Sequence, residues 1–444
     1  MDLKQRIARW MEDHRGLIVV LVVLPLSLIF DALIQLRLWI IRKFISAPEK
    51  HDERVRTIQS QVLRWNKHPK AERKLMCTAR PNWQSLSTTF FRKDLCHKIS
   101  IPLYDILELR ESHMTIRVEP MVSVGQATAF LVPRGYTLAV CLEVAEATLG
   151  GLAMGVGMTT YSHKIGLYQE GIVAYEVVLA DGSLVKATKD NEYSDLYYTL
   201  PWSHGTLGFL VELELKIIKI KPHLKLEYIP VKGQKQYCDM MQDLSGALDK
   251  NRPTPDYLEA TVYNKEEAVI MVGNFADVPD TEQHKVFQDI VLPMTQLEDQ
   301  IDKNEELFDI YPILIYPCRI YDHGPHRGQL RPPRREQMVP GADYGMFNDL
   351  GVYGVPRVVK EKKRFDAVNA MRKMERFTEE VGGYPFLYAD TFMTRQEFEK
   401  MFDLTAYDQV RRKYNAEGAF PHLHDKIKPE IDVVEVGKQY MDPL

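Results

Sequence analysis

Hydrophobic residues form one long block near the start of the chain and shorter periodic blocks after it. Residues 17–30 are an unbroken apolar run, and 32–41 extend it past Asp31, Gln35 and Arg37. The span from 17 to 41 would form about 37 Å of helix at roughly 1.5 Å per residue, and a bilayer core is about 30 Å thick. The pattern therefore predicts a membrane-spanning helix.

The flanks of this block refine the prediction. No small-residue cleavage site follows it; Trp39, Arg42 and Lys43 follow instead and are typical of an interfacial anchor. We therefore predict an N-terminal flank at 1–15 and a retained transmembrane anchor at 16–45. An amphipathic second half lying in the membrane interface is the alternative. Lys and Arg are more frequent after the span than before it, which favours a cytosolic catalytic portion.

Beyond Pro48 the pattern becomes that of a globular α+β protein. Apolar residues at helical spacing predict helices at 52–66 and 122–132. Short apolar or alternating stretches predict strands at 99–103, 106–108, 115–118, 138–141, 173–179 and 183–187. The dipeptide Asp181-Gly182 predicts a two-residue hairpin turn between the last two strands.

The C-terminal half predicts a second, α/β region. We expect strands at 257–263, 268–275, 309–316 and 346–353, and a helix at 367–381. The stretch 323–340 is basic and proline-rich. A solvated loop is the preferred interpretation, and contact with anionic lipid or a nucleotide phosphate is the alternative.

Composition narrows the class of protein. A chain of 444 residues predicts two or three domains, and 45% hydrophobic with 27% charged residues is ordinary globular composition. The formal net charge of −4 gives no general attraction to nucleic acid. The five cysteines are odd in number and widely spaced, which indicates reduced thiols facing the cytosol rather than disulfides or a zinc site.

A glycine-rich stretch at 148–166 has the strongest chemical signal. It contains five glycines among small and hydroxylated residues, so its backbone is open to close approach by another group. Successive exposed N–H groups suit a pyrophosphate; a surface loop with tight turns is the alternative. Position 160 is Thr and antiparallel strands follow, so a Rossmann-type dinucleotide site is disfavoured.

A second glycine element lies at 201–217, where Gly205 and Gly208 bracket Thr206 before an alternating strand. Taken alone, it predicts only a turn before a strand. Together, T-L-G-G-x-x-x-G-x-G, S-H-K-x-G, Y-E-V-V-L-A-D-G-S and P-W-S-H-G-T-L-G-F-L resemble the FAD-binding domain of the vanillyl-alcohol-oxidase (PCMH) type. Within this superfamily, the chain resembles the Δ24-sterol reductases of animals and plants. The stretch that carries this similarity is at 387–403 and reads L-Y-A-D-T-F-M-T-R-Q-E-F-E-K-M-F-D.

The resemblance implies a two-lobed FAD-binding domain at 52–222 and an α/β substrate cap at 223–444. It also implies which residues contact FAD: Thr148, Leu149, Gly150, Gly151, Leu152, Ala153, Met154, Gly155, Val156, Gly157, Met158, Thr159, Thr160, Ser162, His163, Gly205, Thr206 and Gly208. His163 either caps the loop or occupies a position that tethers flavin in some relatives of the superfamily; we expect FAD to be held noncovalently and no metal to be needed.

The implied reaction has two halves. NADPH reduces FAD, and the sterol side-chain alkene then receives a hydride at one carbon and a proton at the other, in a dry pocket. The resemblance places candidate proton donors at Tyr353, Tyr388 and Asp390 in the cap. It implies an endoplasmic-reticulum membrane protein that spans the membrane once; the oligomeric state is left open.

The chain also departs from the family. Ile165 stands where Tyr is usual, Met158-Thr159 where Glu is usual, and the cap is shortened near 275–285. A shorter cap predicts FAD binding with poor sterol reduction. Two alternatives stay open: a flavin oxidase of the same fold acting on alcohols or lactones, and a noncatalytic, membrane-tethered protein that binds FAD or sterol.

Overall fold

A computed structural model describes residues 10, 16, 19–82, 91–277, 290–352, 354, 356–361, 363, 365–387 and 391–427. Its strands are β1 (Met76–Thr78), β2 (His97–Ile99), β3 (Ile106–Arg110), β4 (Thr115–Val118), β5 (Tyr136–Leu138), β6 (Ile172–Val178), β7 (Leu184–Thr188), β8 (Phe209–Lys219), β9 (His223–Lys232), β10 (Tyr257–Asn264), β11 (Glu267–Ala276), β12 (Ile290–Pro293), β13 (Ile313–Tyr321), β14 (Tyr344–Val352) and β15 (Tyr384–Pro385). Its α-helices are α1 (Leu24–Ile40), α2 (His51–Asn66), α3 (Val124–Leu131), α4 (Leu149–Met154), α5 (Ser162–Ile165), α6 (Ser194–Thr199), α7 (Gln234–Ser245), α8 (Leu297–Leu307), α9 (Arg357–Lys360), α10 (Ala367–Val381), α11 (Arg395–Met401), α12 (Thr405–Lys413) and α13 (Leu423–Ile427).

The first sheet has the order β3-β4-β8-β6-β7, with β5 paired to the far end of β8. All its pairings are antiparallel. The predicted hairpin is confirmed, but its loop has three residues, 180–182, rather than two, because the Leu179 N–H donates to the Ser183 carbonyl at 2.9 Å. Gly182 has φ +88°, and the Asp181 carboxylate accepts a hydrogen bond from the Ser183 N–H at 2.8 Å. Glycine is needed there because a side chain would be strained at positive φ. A separate parallel pair, β1-β2, lies beside this sheet.

The second sheet has the order β15-β12-β14-β13-β10-β11-β9 and is antiparallel. Alternation along its strands gives it two buried faces. On one face, Val262, Ile270 and Ile315 share a core with residues of α7 and α8. On the other, Tyr316 and Cys318 join the core of the first sheet. The cap is therefore a sheet with helices on one face and the first domain on the other.

The chain after β15 returns to the first domain. Phe398, Phe402, Tyr407 and Phe420 are buried in the same core as the strands of the first sheet. Strand β9 begins at His223, four residues after β8 ends at Lys219. The boundaries 52–222 and 223–444 stay predictions, and this return of the C-terminal segment is a feature that the sequence pattern did not indicate.

The N-terminal block forms α1 between the π-helical segments Val19–Val23 and Ile41–Ile45. Helix α1 has 17 residues and its sequence includes Asp31 and Arg37. Among the helices of the described residues, none is both long and apolar enough to cross a membrane. The transmembrane helix predicted over 16–45 is therefore not shown.

Several boundaries differ from the sequence prediction for identifiable reasons. The strand expected at 309–316 begins at Ile313 and continues to Tyr321. Pro312 has no backbone N–H to donate to the neighbouring strand, so the ladder starts after it. Of the strand predicted at 99–103, only residue 99 lies in a strand, because β2 covers His97–Ile99. Helix α10 has the predicted bounds, with the Asp366 side chain accepting from the Asn369 N–H.

Helix α2 is attached to the first sheet by buried charges. His51 Nδ1 lies 2.8 Å from Glu119 Oε1, and Nε2 lies 3.6 Å from Glu212 Oε2. Glu212 also accepts from Arg117 Nε at 2.6 Å. Burial alone would lower the pKa of His51, but the hydrogen bond to Glu119 and the charges of Glu119 and Glu212 outweigh it, so the pKa is raised above 6.5.

We expect this contact to make stability depend on pH. Because the folded pKa of His51 is raised, its contribution is fully present below pH 6.5 and is lost as pH rises through the folded pKa. Relative to His51→Gln, the native chain should therefore lose free energy of unfolding on going from pH 6 to pH 8. Urea unfolding of both proteins across this range tests it, and a pH-independent difference between them would contradict it.

Candidate cofactor and active site

The glycine-rich stretch begins with a short helix. Thr148 caps α4: its Oγ1 accepts from the Gly151 N–H at 3.3 Å and from Arg80 Nη1 at 3.2 Å. A Cβ on Gly150 would lie 2.5 Å from the Cβ of Pro120, so glycine lets the helix pack against that proline. Residues Leu149–Met154 are helical because a threonine N-cap followed by small residues permits a short helix. Leu149, Ala153 and Met154 pack in the core.

After α4 the chain is buried, and several of its backbone N–H groups are unpaired within the described residues. Across the described residues, the N–H groups of Val156, Gly157 and Met158 have no hydrogen-bond acceptor, although all three residues are buried. Buried N–H groups are almost always paired in folded proteins, and a run of them forms a concavity for an anion. A Cβ on Gly155 would lie 2.8 Å from the Gly151 carbonyl oxygen. We call residues 155–158 the N–H cradle; its donors fit a pyrophosphate.

The two glycine elements lie side by side. The Trp202 N–H donates to the Gly155 carbonyl at 3.0 Å, and the His204 N–H donates to the Met154 carbonyl at 2.7 Å. Trp202, His204 and Gly205 all have positive φ, at +64°, +48° and +71°. Non-glycine residues rarely adopt this conformation, and such strain is concentrated at functional sites.

The remaining residues of the second element point into the core. Thr206 Oγ1 is 2.6 Å from Tyr407 Oη, and a Cβ on Gly208 would lie 2.5 Å from Val177 Cγ1. Gly205 borders open space, with only Lys426 Nζ within 4 Å of an added Cβ. Within the predicted set, Gly205 is therefore open to a ligand, whereas Thr206 and Gly208 hold the turn in place.

Positive charge surrounds the cradle from distant parts of the chain. Arg80 reaches Thr148, Lys93 Nζ donates to the Arg80 carbonyl at 2.7 Å, and Lys426 Nζ donates to the His204 carbonyl. Burial lowers the pKa of Lys426 to about 8. Burial and the positive charge of Lys426 lower the pKa of His204 to about 3. Local sequence patterns did not identify these cations, because Lys426 is 222 residues from His204 along the chain.

His163 joins the glycine stretch to the cap. Its Nε2 lies 2.9 Å from the Pro255 carbonyl oxygen and its Nδ1 lies 3.1 Å from that of Thr160. Burial lowers the pKa of His163 to about 4. Lys164 pairs with Asp256 at 2.7 Å. A neutral imidazole has one N–H, so His163 can donate to only one of these two carbonyls, although both ring nitrogens face backbone oxygens. A covalent bond from either nitrogen to flavin would require that nitrogen to move away from its carbonyl neighbour. Nearby, Ser162 Oγ accepts from the Thr159 N–H at 2.9 Å.

The predicted donors Tyr353, Tyr388 and Asp390 lie outside the described residues. The structure brings together another titratable set, which we call the cap row: Glu259, Tyr316 and Asp349. Tyr316 pairs with Asp349 between β13 and β14, and Ala260 pairs with Ile315 between β10 and β13, which places Glu259 beside Tyr316. Tyr316 belongs to the core shared with the first domain. The cap row therefore faces the cofactor-binding domain.

The cap row can hold a proton at neutral pH. Burial, and then the charge of Glu143, raise the pKa of Glu259 to about 7, and its hydrogen bond with Tyr316 opposes them. Glu143 belongs to the segment preceding α4. Asp349 is fully buried. Burial raises the pKa of Cys318, and the negative charge of Asp349 raises it further. A carboxyl group that is half protonated near pH 7 suits general acid chemistry.

The second glycine element is supported by Arg411, which is 5% exposed. Its guanidinium donates to the carbonyls of Thr206 (2.7 Å), Pro421 (3.1 Å), Ala416 (3.3 Å) and Phe420 (2.9 Å). The residue therefore ties helix α12 and the C-terminal segment to the turn beside the cradle.

We expect Arg411→Met to destabilise the fold by at least about 3 kcal/mol, because several buried carbonyls lose a charged donor. Arg412→Met is the matched control, since Arg412 is the neighbouring arginine and its side chain is 60% exposed. The free energy of unfolding from urea titration tests the difference. Equal stability of the two variants would show that the buried guanidinium is dispensable.

Comparison with known proteins agrees with this site. Residues 72–188 match the family model of the FAD-binding domain, so the site belongs to an FAD-binding protein. The chain is 34% identical to human Δ24-sterol reductase over 503 aligned positions, which cover 93% of each protein. It is 30% identical to the Δ24-sterol reductases of pea and Arabidopsis, covering 96% and 93% of this chain and 94% and 91% of theirs. The chain belongs to the Δ24-sterol reductase family.

The alignment also bears on chain length. Its 503 positions exceed the 444 residues of this chain, so the human protein contains residues that have no counterpart here. The shortening predicted near 275–285 falls largely on residues 278–289, which lie outside the described part of the chain.

Proposed function

We propose that this chain reduces the Δ24 side-chain double bond of a sterol, with FAD as bound cofactor and NADPH as electron donor. Membership of the family supports the reaction. The observation that carries the proposal is that the N–H cradle and the cap row both lie against residues 142–143: a Cβ on Gly157 would lie 3.0 Å from Leu142 Cδ1, and the charge of Glu143 helps to raise the pKa of Glu259. The cradle suits the cofactor's pyrophosphate, and the cap row suits a proton donor. A metal has no role in it.

The residues divide the chemistry between them. FAD bound at this site and reduced by NADPH would supply a hydride. The N–H groups of Val156, Gly157 and Met158 would hold its pyrophosphate, with Arg80 and Lys426 adding positive charge. Tyr316 Oη, hydrogen-bonded to Glu259, donates the proton to the alkene carbon that does not receive the hydride. Burial of the cap row excludes water, so the proton goes to the substrate rather than exchanging with solvent.

Purified protein in detergent tests the reaction directly. NADPH should bleach the flavin absorbance without oxygen, and a Δ24 sterol should restore it with one reduced sterol formed per flavin. Bleaching followed by reoxidation only by oxygen would favour an oxidase. Sterol binding with no reoxidation would favour a noncatalytic binding protein, and either result would overturn the proposal.

Because the human relative contains residues that this chain lacks, we expect the sterol step to be slow and partly bypassed. A shorter cap admits water and oxygen and positions the sterol less well. Peroxide should therefore accompany turnover with NADPH. Stoichiometric sterol reduction without peroxide would show that the shortened cap is complete.

We also propose that the chain is attached to the endoplasmic-reticulum membrane with its catalytic portion in the cytosol. Apolar side chains of α1, including Leu26, Leu28 and Leu33, are about 60% exposed, and Lys and Arg are concentrated after this segment. Protease added to intact microsomes should digest the catalytic portion. Its protection would show the opposite orientation.

A further inference from the structure

Strand β9 forms one edge of the second sheet. Each of its residues from His223 to Lys232 pairs with β11, and no strand in the described part of the chain pairs with its other side. Leu226 and Tyr228 are 37% and 47% exposed, although both side chains are large and mainly apolar. A long edge strand with exposed apolar side chains is a template for pairing with another strand.

The apolar side chains of β9 lie on one face of the sheet. Leu224 and Leu226 both pack over Gly273, where an added Cβ would lie 3.4 and 3.1 Å from their Cδ2 atoms. Tyr228 lies two residues further on and points to the same face, because side chains alternate along a strand. The open edge of β9 therefore carries an apolar stripe.

Two prolines set the limits of this open edge. Pro222 directly precedes β9, and Pro230 lies within it. Proline is accepted in an edge strand where its missing N–H faces away from the neighbouring strand. By alternation, Leu224, Leu226 and Tyr228 then direct their backbone N–H and C=O groups to the same open side. The stretch between the prolines can therefore pair with a partner, and Leu226 is at its centre.

We propose that β9 pairs in antiparallel register with β9 of a second copy of this chain, about a twofold axis through Leu226. Leu226 then lies opposite the partner's Leu226, and Leu224 lies opposite the partner's Tyr228, so the exposed apolar side chains become buried. On the other face, Lys225 lies opposite the partner's Glu227, and symmetry repeats this pair. Apolar pairs and opposite charges across neighbouring strands both stabilise a sheet.

The sequence of β9 also disfavours the neighbouring registers. Moving the axis by two residues in either direction places a proline opposite Leu226 and separates Lys225 from Glu227. Moving it by one residue places two lysines or two glutamates opposite each other. Proline and charged residues usually protect an edge strand against pairing. Here they leave the register centred on Leu226 as the complementary one.

Charge reversal tests this interface. Lys225 and Glu227 are both exposed, so neither substitution disturbs the core. Glu227→Lys places two lysines opposite each other at both symmetry-related positions, and Lys225→Glu does the same with two glutamates. Like charges directly opposite are destabilising, so each single variant should raise the Kd of the dimer about 10-fold or more. Sedimentation equilibrium of the full, FAD-loaded chain in density-matched detergent measures this Kd.

Mixing the variants tests the pairing itself. In an equimolar mixture of Glu227→Lys and Lys225→Glu, every charge lies opposite its complement, so a heterodimer should form with nearly the native Kd. The double variant Lys225→Glu/Glu227→Lys exchanges the two charges and should also dimerise like the native chain. Lys232→Glu is the matched control, because Lys232 is an exposed lysine of the same strand beyond Pro230. Its dimer Kd should not change.

Three results would each overturn the inference. They are a native chain that is monomeric at every concentration, a dimer that both single variants leave unchanged, and single variants that remain monomeric when mixed. Sedimentation does not measure turnover, so the test decides the interface whether or not the proposed reaction is correct.

Discussion

Gly155→Val is expected to give a folded protein that purifies without flavin. A Cβ at this position would lie 2.8 Å from the Gly151 carbonyl oxygen, which is backbone and cannot swing away. The backbone must therefore shift where the N–H groups of Val156 to Met158 begin, and those groups have no other partners in the described protein. We expect the ratio of flavin absorbance at about 450 nm to protein absorbance to fall at least about 10-fold, with an unchanged far-UV circular dichroism spectrum.

Two other glycines make this result specific. Gly171→Ala should retain flavin, because the nearest atom to its added Cβ is Val140 Cγ2 at 3.7 Å, an ordinary contact. Gly150→Val should instead lower stability, because its Cβ would overlap Pro120. A Gly155→Val protein with a full complement of FAD would remove the cradle from the cofactor site.

The two glycine elements of the candidate cofactor site could be found in the sequence because their signals are local. Glycines at 155 and 157 and the P-W-S-H-G turn are short patterns, and in the structure the two elements meet through Trp202 and His204. The cations around them were not predictable in this way. Arg80 lies in a loop, and Arg411 and Lys426 lie on C-terminal helices. Arg411 and Lys426 are about 200 residues away along the chain from the second glycine element, and only the fold places them beside it.

The catalytic side was harder to predict because polar residues on a buried face resemble those on a solvated one. Strand β10 alternates Tyr257, Leu258, Glu259 and Ala260, and alternation usually means one solvated face. Here both faces are covered, by helices on one side and by the first domain on the other. A carboxylate within a sheet that is buried on both faces is the signal that could have identified Glu259.

Tyr316→Phe is expected to slow the sterol half-reaction by about 10²- to 10⁴-fold, the usual range for losing a general acid. The change removes one oxygen from a residue that is 6% exposed, so the shape of the cap face is kept. In single-turnover experiments, flavin reduction by NADPH should stay within about two-fold of the native rate. Reoxidation of the reduced protein by a Δ24 sterol should be slow. Tyr263→Phe is the matched control, since Tyr263 lies on strand β10 and is 53% exposed.

The same row predicts how the sterol step depends on pH. Burial and Glu143 raise the pKa of Glu259 to about 7, so its carboxyl group is neutral and able to replenish the proton of Tyr316 below that value. Above that pH the carboxyl group of Glu259 ionises and can no longer supply a proton. The rate of reoxidation by sterol should therefore fall as pH rises from about 6 to 8, whereas Glu259→Gln should be slow and nearly independent of pH over this range. The native rate in D₂O should be lower, and this isotope effect should be reduced in Glu259→Gln. If Tyr316→Phe and Glu259→Gln both transfer at the native rate with the native pH profile, the proton comes from elsewhere in the cap.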